Sequence, residues 1–92
     1  MNSITIIGKR WFNRRTGNTY HSAQILIDGQ TIHIIDYAYG YDQAYLDNAV
    51  NWLKTNHLIK IDEHEPIWNY CKKNNIKFEY SVSNVQRKSD LG

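Results

Sequence analysis

No acidic residue precedes Asp28, so Lys9, Arg10, Arg14 and Arg15 give residues 1–27 a net charge of +4. Cysteine is nearly absent as well. A lone thiol, Cys71, excludes an internal disulfide and provides no thiol pair for zinc, which suggests a reducing cytoplasm. The five glycines are scattered and build no phosphate-cradling loop, and His21, His33, His57 and His64 lack metal-ligand spacing. Neither a metal nor a cofactor is expected. No window approaches the roughly 20 apolar residues of a membrane span, and no apolar core follows a basic start at the N-terminus. The expected protein is cytoplasmic, with no membrane partner.

Within 92 residues, 41% are hydrophobic and 22% charged, which suits one folded domain rather than a disordered chain. The overall charge of +2 conceals strong segregation: residues 28–65 carry net −5 and residues 66–92 net +3. A basic face for an anionic partner is one consequence of that pattern, and mutual cancellation on folding is the other.

Ile4, Ile6 and Ile7 open a β-rich run that continues through Trp11 and Phe12, and residues 19–28 form a second. A turn at Arg14-Arg15-Thr16-Gly17-Asn18 separates them. Asp28-Gly29, set between Ile25-Leu26-Ile27 and Thr31-Ile32-His33-Ile34-Ile35, is a strong tight-hairpin signal. After Gly40, Asp42 is placed to cap a helix to about Asn56 with Leu46, Ala49, Val50 and Leu53 as its buried stripe. Asp62-Glu63-His64-Glu65-Pro66 opens a second, short helix to about Asn74. Ile76, Phe78, Tyr80 and Val82 then alternate with polar residues as a last strand. The expected fold is α+β and two-layered, in the order β-β-β-α-α-β, with a mainly antiparallel sheet and the helices on one face. The domain spans 1–84, followed by a polar, frayed tail at 85–92. Whether the last strand joins the first or the third is left open.

The binding chemistry concentrates in Lys9 to Ser22, where four cations and three aromatic rings surround the Thr16-Gly17-Asn18 turn. Guanidinium forks hold phosphates and rings stack on bases, so Arg10, Trp11, Arg14, Arg15, Asn18 and Tyr20 are candidate ligand residues. Counting back from an Asp28-Gly29 turn places Ile25 by Ile32, Ala23 by Ile34, and His21 by Asp36. A carboxylate beside an imidazole fixes its tautomer and raises its pKa, as a general base or phosphate ligand would need, although a structural pair at the rim of the core is the competing expectation. The opposite face would then carry Tyr20, Ser22, Gln24, His33, Tyr37 and Tyr39. With Tyr41 and Tyr45 following, Tyr37 and Tyr39 belong to a tyrosine cluster suited to a flat ligand or to packing between sheet and helix. Trp52 and Trp68 are expected to cover the core. Four cations are few for a long duplex, and a short ligand suits the patch better. Ser22 follows His21 directly, and neighbours on a strand point to opposite faces, so no nucleophile and base converge.

Arg10-Trp11-Phe12, Gly17-Asn18-Thr19-Tyr20-His21-Ser22 and Tyr39-Gly40-Tyr41 together resemble a group of short bacteriophage and prophage proteins, over the first half of the chain to about Leu53. The resemblance implies a small accessory protein made in the cytoplasm of an infected bacterium, where such chains bind and inhibit host proteins or capture host signals. It implies no residue roles. The function expected is therefore non-catalytic binding, which inhibits a host defence factor or sequesters a small phosphate-bearing ligand such as a nucleotide signal. Single-stranded nucleic-acid or RNA binding is the alternative, and a small phosphodiesterase or nuclease using His21 and Asp36 a second. Homo-oligomerisation stays open, because a two-layer domain leaves a sheet face and an edge available.

Overall fold

A computed structural model describes every residue except Tyr41, Asp42, Glu63 and Gly92. The fold is α+β: β1 (Ser3–Asn13), β2 (Asn18–Ile27), β3 (Gln30–Tyr39), α1 (Ala44–Thr55), α2 (Ile67–Lys73) and β4 (Lys77–Val85), then a 3-10 turn at Lys88–Asp90. The four strands make one mixed sheet in the order β3-β2-β1-β4, antiparallel except for β1 with β4. The last strand thus joins the first. The helical crossover carries the chain from the β3 edge to the free edge of β1, and a long connection of this kind is what a parallel pair requires. Lys77 N–H donates to the Asn2 carbonyl at 2.9 Å where β4 begins.

Asp28 (φ 52°) and Gly29 (φ 82°) make the tight β2–β3 turn with both central residues at positive φ, the geometry Asp-Gly favours. Asp28 has a second task. Its Oδ1 accepts the backbone N–H groups of Asn2 and Ser3 at 2.6 and 2.9 Å, tying the start of β1 to the hairpin. These two hydrogen bonds hold the Asp28 carboxyl below its ordinary pKa.

The core lies between one sheet face and the helices. Ile4 and Ile6 from β1, Ala23 and Ile25 from β2, Tyr45, Ala49 and Leu53 from α1, and Ile67 and Cys71 from α2 are buried there with Ile59. Leu46 and Val50, expected in the buried stripe of α1, are only partly buried at its margin. Tyr45 is the larger correction to that stripe, since its ring lies across β1 at Gly8. A Cβ at Gly8 would come inside 3.0 Å of three Tyr45 ring carbons, so the absence of a side chain is what admits the ring. The expected cap at Asp42 and the helix-start residue Glu63 lie outside the described residues. Pro66 stands just before α2, at its N-cap.

Two irregularities in β3 overturn the expected cross-strand pairs. Ile27 does pair with Gln30, but Ile25 then pairs with His33, Ala23 with Ile35 and His21 with Ala38. Between Ile25 and Leu26, and again between His21 and Ala23, β3 holds one residue more than β2, as in a β-bulge. Each extra residue inverts the alternation beyond it. His33 therefore turns to the helix side, stacked on Trp52 at 4.2 Å between ring centroids, while Ile34 pairs with Gln24 and is exposed.

The C-terminal segment folds back instead of fraying. Leu91 is 3% exposed, and its carbonyl accepts the Ser22 hydroxyl, which fastens the segment to the sheet face opposite the helices.

Candidate functional site

The β1–β2 hairpin turn is held by short-range bonds. Gly17 (φ 75°) donates its N–H to the Asn13 carbonyl at 2.8 Å, the Asn13 side-chain oxygen accepts the Arg15 N–H at 3.0 Å, and Thr16 Oγ1 accepts the Asn18 N–H at 3.4 Å. An asparagine side chain closing a local ring on the backbone and a glycine at positive φ are what a four-residue loop of this shape requires. Arg14 and Arg15 sit exposed at its tip.

Alternation along β1 places Arg10 and Phe12 on the helix-side face with Ile4, Ile6 and Gly8, and Trp11 on the other. The helices do not extend over this end of the sheet, where an open groove of about 810 Å³ is lined by Arg10, Trp11, Phe12, Asn13, Arg14, Arg15, Thr19, Asn84, Val85 and Gln86. Three guanidinium groups border it, and among the described residues no carboxylate does. Asn84 and Val85 arrive because β4 pairs with β1 as Arg10↔Asn84 and Trp11↔Val85. Their contribution was invisible while the neighbour of the last strand was undetermined. Phe12 and Thr19 form a cross-strand pair, and alternation from Arg10 could have nominated Phe12.

The remaining ring candidates occupy the sheet face opposite the helices. Trp11 stacks on Tyr20 (5.8 Å, 27°), Tyr20 stacks on Tyr37 (4.8 Å, 13°), and Tyr39 meets Tyr20 edge-on (5.6 Å, 72°). The Tyr39 hydroxyl lies 3.5 Å from the Asn18 side-chain oxygen. Lys88 Nζ stands 4.9 Å above the Tyr37 ring, a cation–π contact. Both faces of the Tyr20 ring are thus met by other rings, and one face of Tyr37 by an ammonium. Partial desolvation, with Tyr20 alongside, raises the Tyr37 phenol pKa. Tyr45 leaves the tyrosine cluster for the core, and Tyr41 lies outside the described residues.

The expected His21–Asp36 pair is not formed. His21 is 1% exposed on the helix side, opposite Ala38, and its Nε2 lies 2.8 Å from the Asn48 side-chain amide nitrogen. An amide N–H donating there makes Nε2 the acceptor and leaves the neutral ring's proton on Nδ1, beside Gly40. Burial holds the His21 pKa below its ordinary value, opposed in part by the nearby Gly40 backbone, although the buried Nδ1 makes no hydrogen bond among the described residues. Asp36 is exposed beside Tyr37, Lys88, Ser89 and Leu91, at a separate cavity. The two irregularities in β3, each shifting the register by one residue, are the physical cause of this separation.

The ten candidates therefore divide. Arg10, Trp11, Arg14 and Arg15 line the groove; Asn18, Tyr20, Tyr37 and Tyr39 join the ring ladder, to which Trp11 also belongs; His21 is buried opposite Arg10, and Asp36 is exposed beside Tyr37, apart from His21. Among the described residues, no three His, Cys, Asp or Glu side chains gather as metal ligands, and no helix is long and apolar enough to cross a membrane. Comparison of the chain with protein-family models, with curated proteins and with solved structures finds no match.

Proposed function

We propose that this protein is a non-catalytic binding protein whose groove captures a small phosphate-bearing ligand of the nucleotide class, in the setting of an infected bacterial cytoplasm. One observation carries the reading: Arg10, Arg14 and Arg15 converge on a concave groove that, among the described residues, no acid lines. A guanidinium donates in a planar fork that matches phosphate oxygens, and three of them around one concavity favour a compact polyanion. The volume falls within the range of small-molecule sites. A groove of this shape suits a small ligand better than a flat host-protein surface. Capture rather than turnover is supported by the pairing of His21 with Asn48, which leaves Asp36 no role in activating the imidazole.

The test is calorimetric titration with the ribonucleoside mono- and diphosphates, using wild type and the Arg14→Ala/Arg15→Ala variant. Both side chains are exposed, so the variant keeps the fold. Binding of one nucleotide per chain, weakened at least about tenfold in the variant, is expected for the loss of two charge-assisted contacts. Absence of nucleotide binding, or equal affinity in the variant, contradicts the proposal.

Single-stranded nucleic acid is the second reading, favoured by the exposed Tyr37 and Tyr39 rings. It predicts oligonucleotide affinity that falls steeply with added salt, with little affinity for mononucleotides. The ladder weighs against it, since its rings stack on one another and on Lys88 instead of lying open as platforms.

A further inference from the structure

Beside the groove, a second cavity of about 540 Å³ is lined by Arg10, Gln43, Tyr45, Tyr80, Ser81 and Val82. Arg10 lines both. The first cavity takes residues of both sheet faces near the hairpin turn, and the second adjoins the first residues of α1. Their chemistry differs: the first has three guanidinium groups, whereas the second has, besides Arg10, two phenol rings, an aliphatic side chain, one amide and one hydroxyl.

Tyr80 is the anomaly that makes the second cavity informative. It alternates with Phe78 and Val82 on the core-facing side of β4, and both of those pack against the core, yet Tyr80 is 52% exposed. A large ring on a core-facing register, left uncovered beside a cavity, is placed to meet something other than this chain. The fully buried Tyr45 forms the cavity floor, held flat on β1 by the missing side chain of Gly8. Tyr80 and Arg10 both act electrostatically on the Tyr45 phenol, as expected for groups converging on one cavity.

We propose that this cavity is the base subsite of the phosphate-bearing ligand, so that the protein takes a nucleoside diphosphate lengthwise along the β1–β4 edge. This inference rests on the phosphate reading of the groove. The base lies against Tyr80 and Val82, Gln43 offers an amide to its polar edge, Arg10 stands at the junction, and Arg14 and Arg15 hold the terminal phosphate. Tyr80 and Asn84 are four residues apart on one face of a strand, about 13 Å at the usual rise. An extended base, ribose and two phosphates cover that span.

Titrations with inorganic pyrophosphate and with the four ribonucleoside diphosphates, on wild type, Tyr80→Ala and Tyr80→Phe, test the inference. Wild type is expected to bind at least one nucleoside diphosphate about tenfold more tightly than pyrophosphate, the usual scale of one base–aromatic stack. Tyr80→Ala removes that advantage and leaves pyrophosphate affinity unchanged, whereas Tyr80→Phe keeps it. If wild type binds pyrophosphate as tightly as every nucleoside diphosphate, or Tyr80→Ala leaves nucleoside diphosphate affinity intact, the base subsite is overturned while the phosphate groove stands. If neither pyrophosphate nor nucleotide binds, the phosphate reading itself fails. The wild-type comparison needs no variant, so it decides the matter even where Tyr80→Ala is unstable.

Discussion

Gly8 shows how one missing side chain organises this protein, because Tyr45 occupies the space a Cβ would take and in doing so forms both core and cavity floor. Gly8→Ala must displace a buried ring. It is expected to destabilise the fold by about 2–3 kcal/mol, as overpacking does, with the loss read from denaturant unfolding. His21 gives a pH-dependent prediction. Burial lowers its folded pKa below the unfolded value of about 6.5, so the unfolded chain binds the proton first as pH falls. Stability should therefore decline as pH drops through 6.5 and level off below the folded pKa. Thermal midpoints between pH 7 and 5 should fall less in His21→Gln. Asp28 has its folded pKa depressed by two backbone donors, and the resulting stability is present above the unfolded pKa of about 4 and lost as pH falls through the lower folded value. The stability advantage of wild type over Asp28→Asn should shrink in that acid range. Of these residues, Asp28 was legible through the Asp-Gly dipeptide. The Gly8–Tyr45 contact was not, because it joins positions distant in sequence and depends on how α1 lies across β1.

Strand alternation was the most reliable signal among the elements, and β3 is where it failed. The Asp28-Gly29 turn fixed the first pair, Ile27 with Gln30, but one additional residue in β3 turned His33 and Ile34 to the faces opposite those expected, and a second moved the pairs beyond Ile35 again. Nothing in the composition of residues 31–38 distinguishes a bulged strand from a regular one. That is why the His21–Asp36 pair was attractive and does not form. The C-terminal segment was similarly opaque, since a single leucine among polar residues carries its attachment. Leu91 is buried against the sheet with its carbonyl bonded to Ser22. Leu91→Ala should cost about 1–2 kcal/mol in apolar burial and increase amide hydrogen exchange in residues 86–91. Equal exchange in variant and wild type would show that the leucine does not hold the segment.

For the molecule as a whole, the uneven charge left a basic face and cancellation on folding both open, and the sheet order explains where Arg10, Arg14 and Arg15 gather. Pairing β4 with β1 brings Asn84 and Val85 against the arginine-rich end of the first hairpin and leaves that end beyond the helices. Arg10, Arg14 and Arg15 were legible as a cluster, while their division from the ring ladder required the strand faces. In the proposed reading the groove, not the ladder, meets the ligand. An amide NMR titration of the isotopically labelled protein with the nucleoside diphosphate that binds most tightly tests it directly. Shifts concentrated in residues 10–19 and 80–86 and at Gln43, saturating at one ligand per chain, are predicted; shifts confined to Tyr37, Tyr39 and Lys88, or none at saturating ligand, would contradict it.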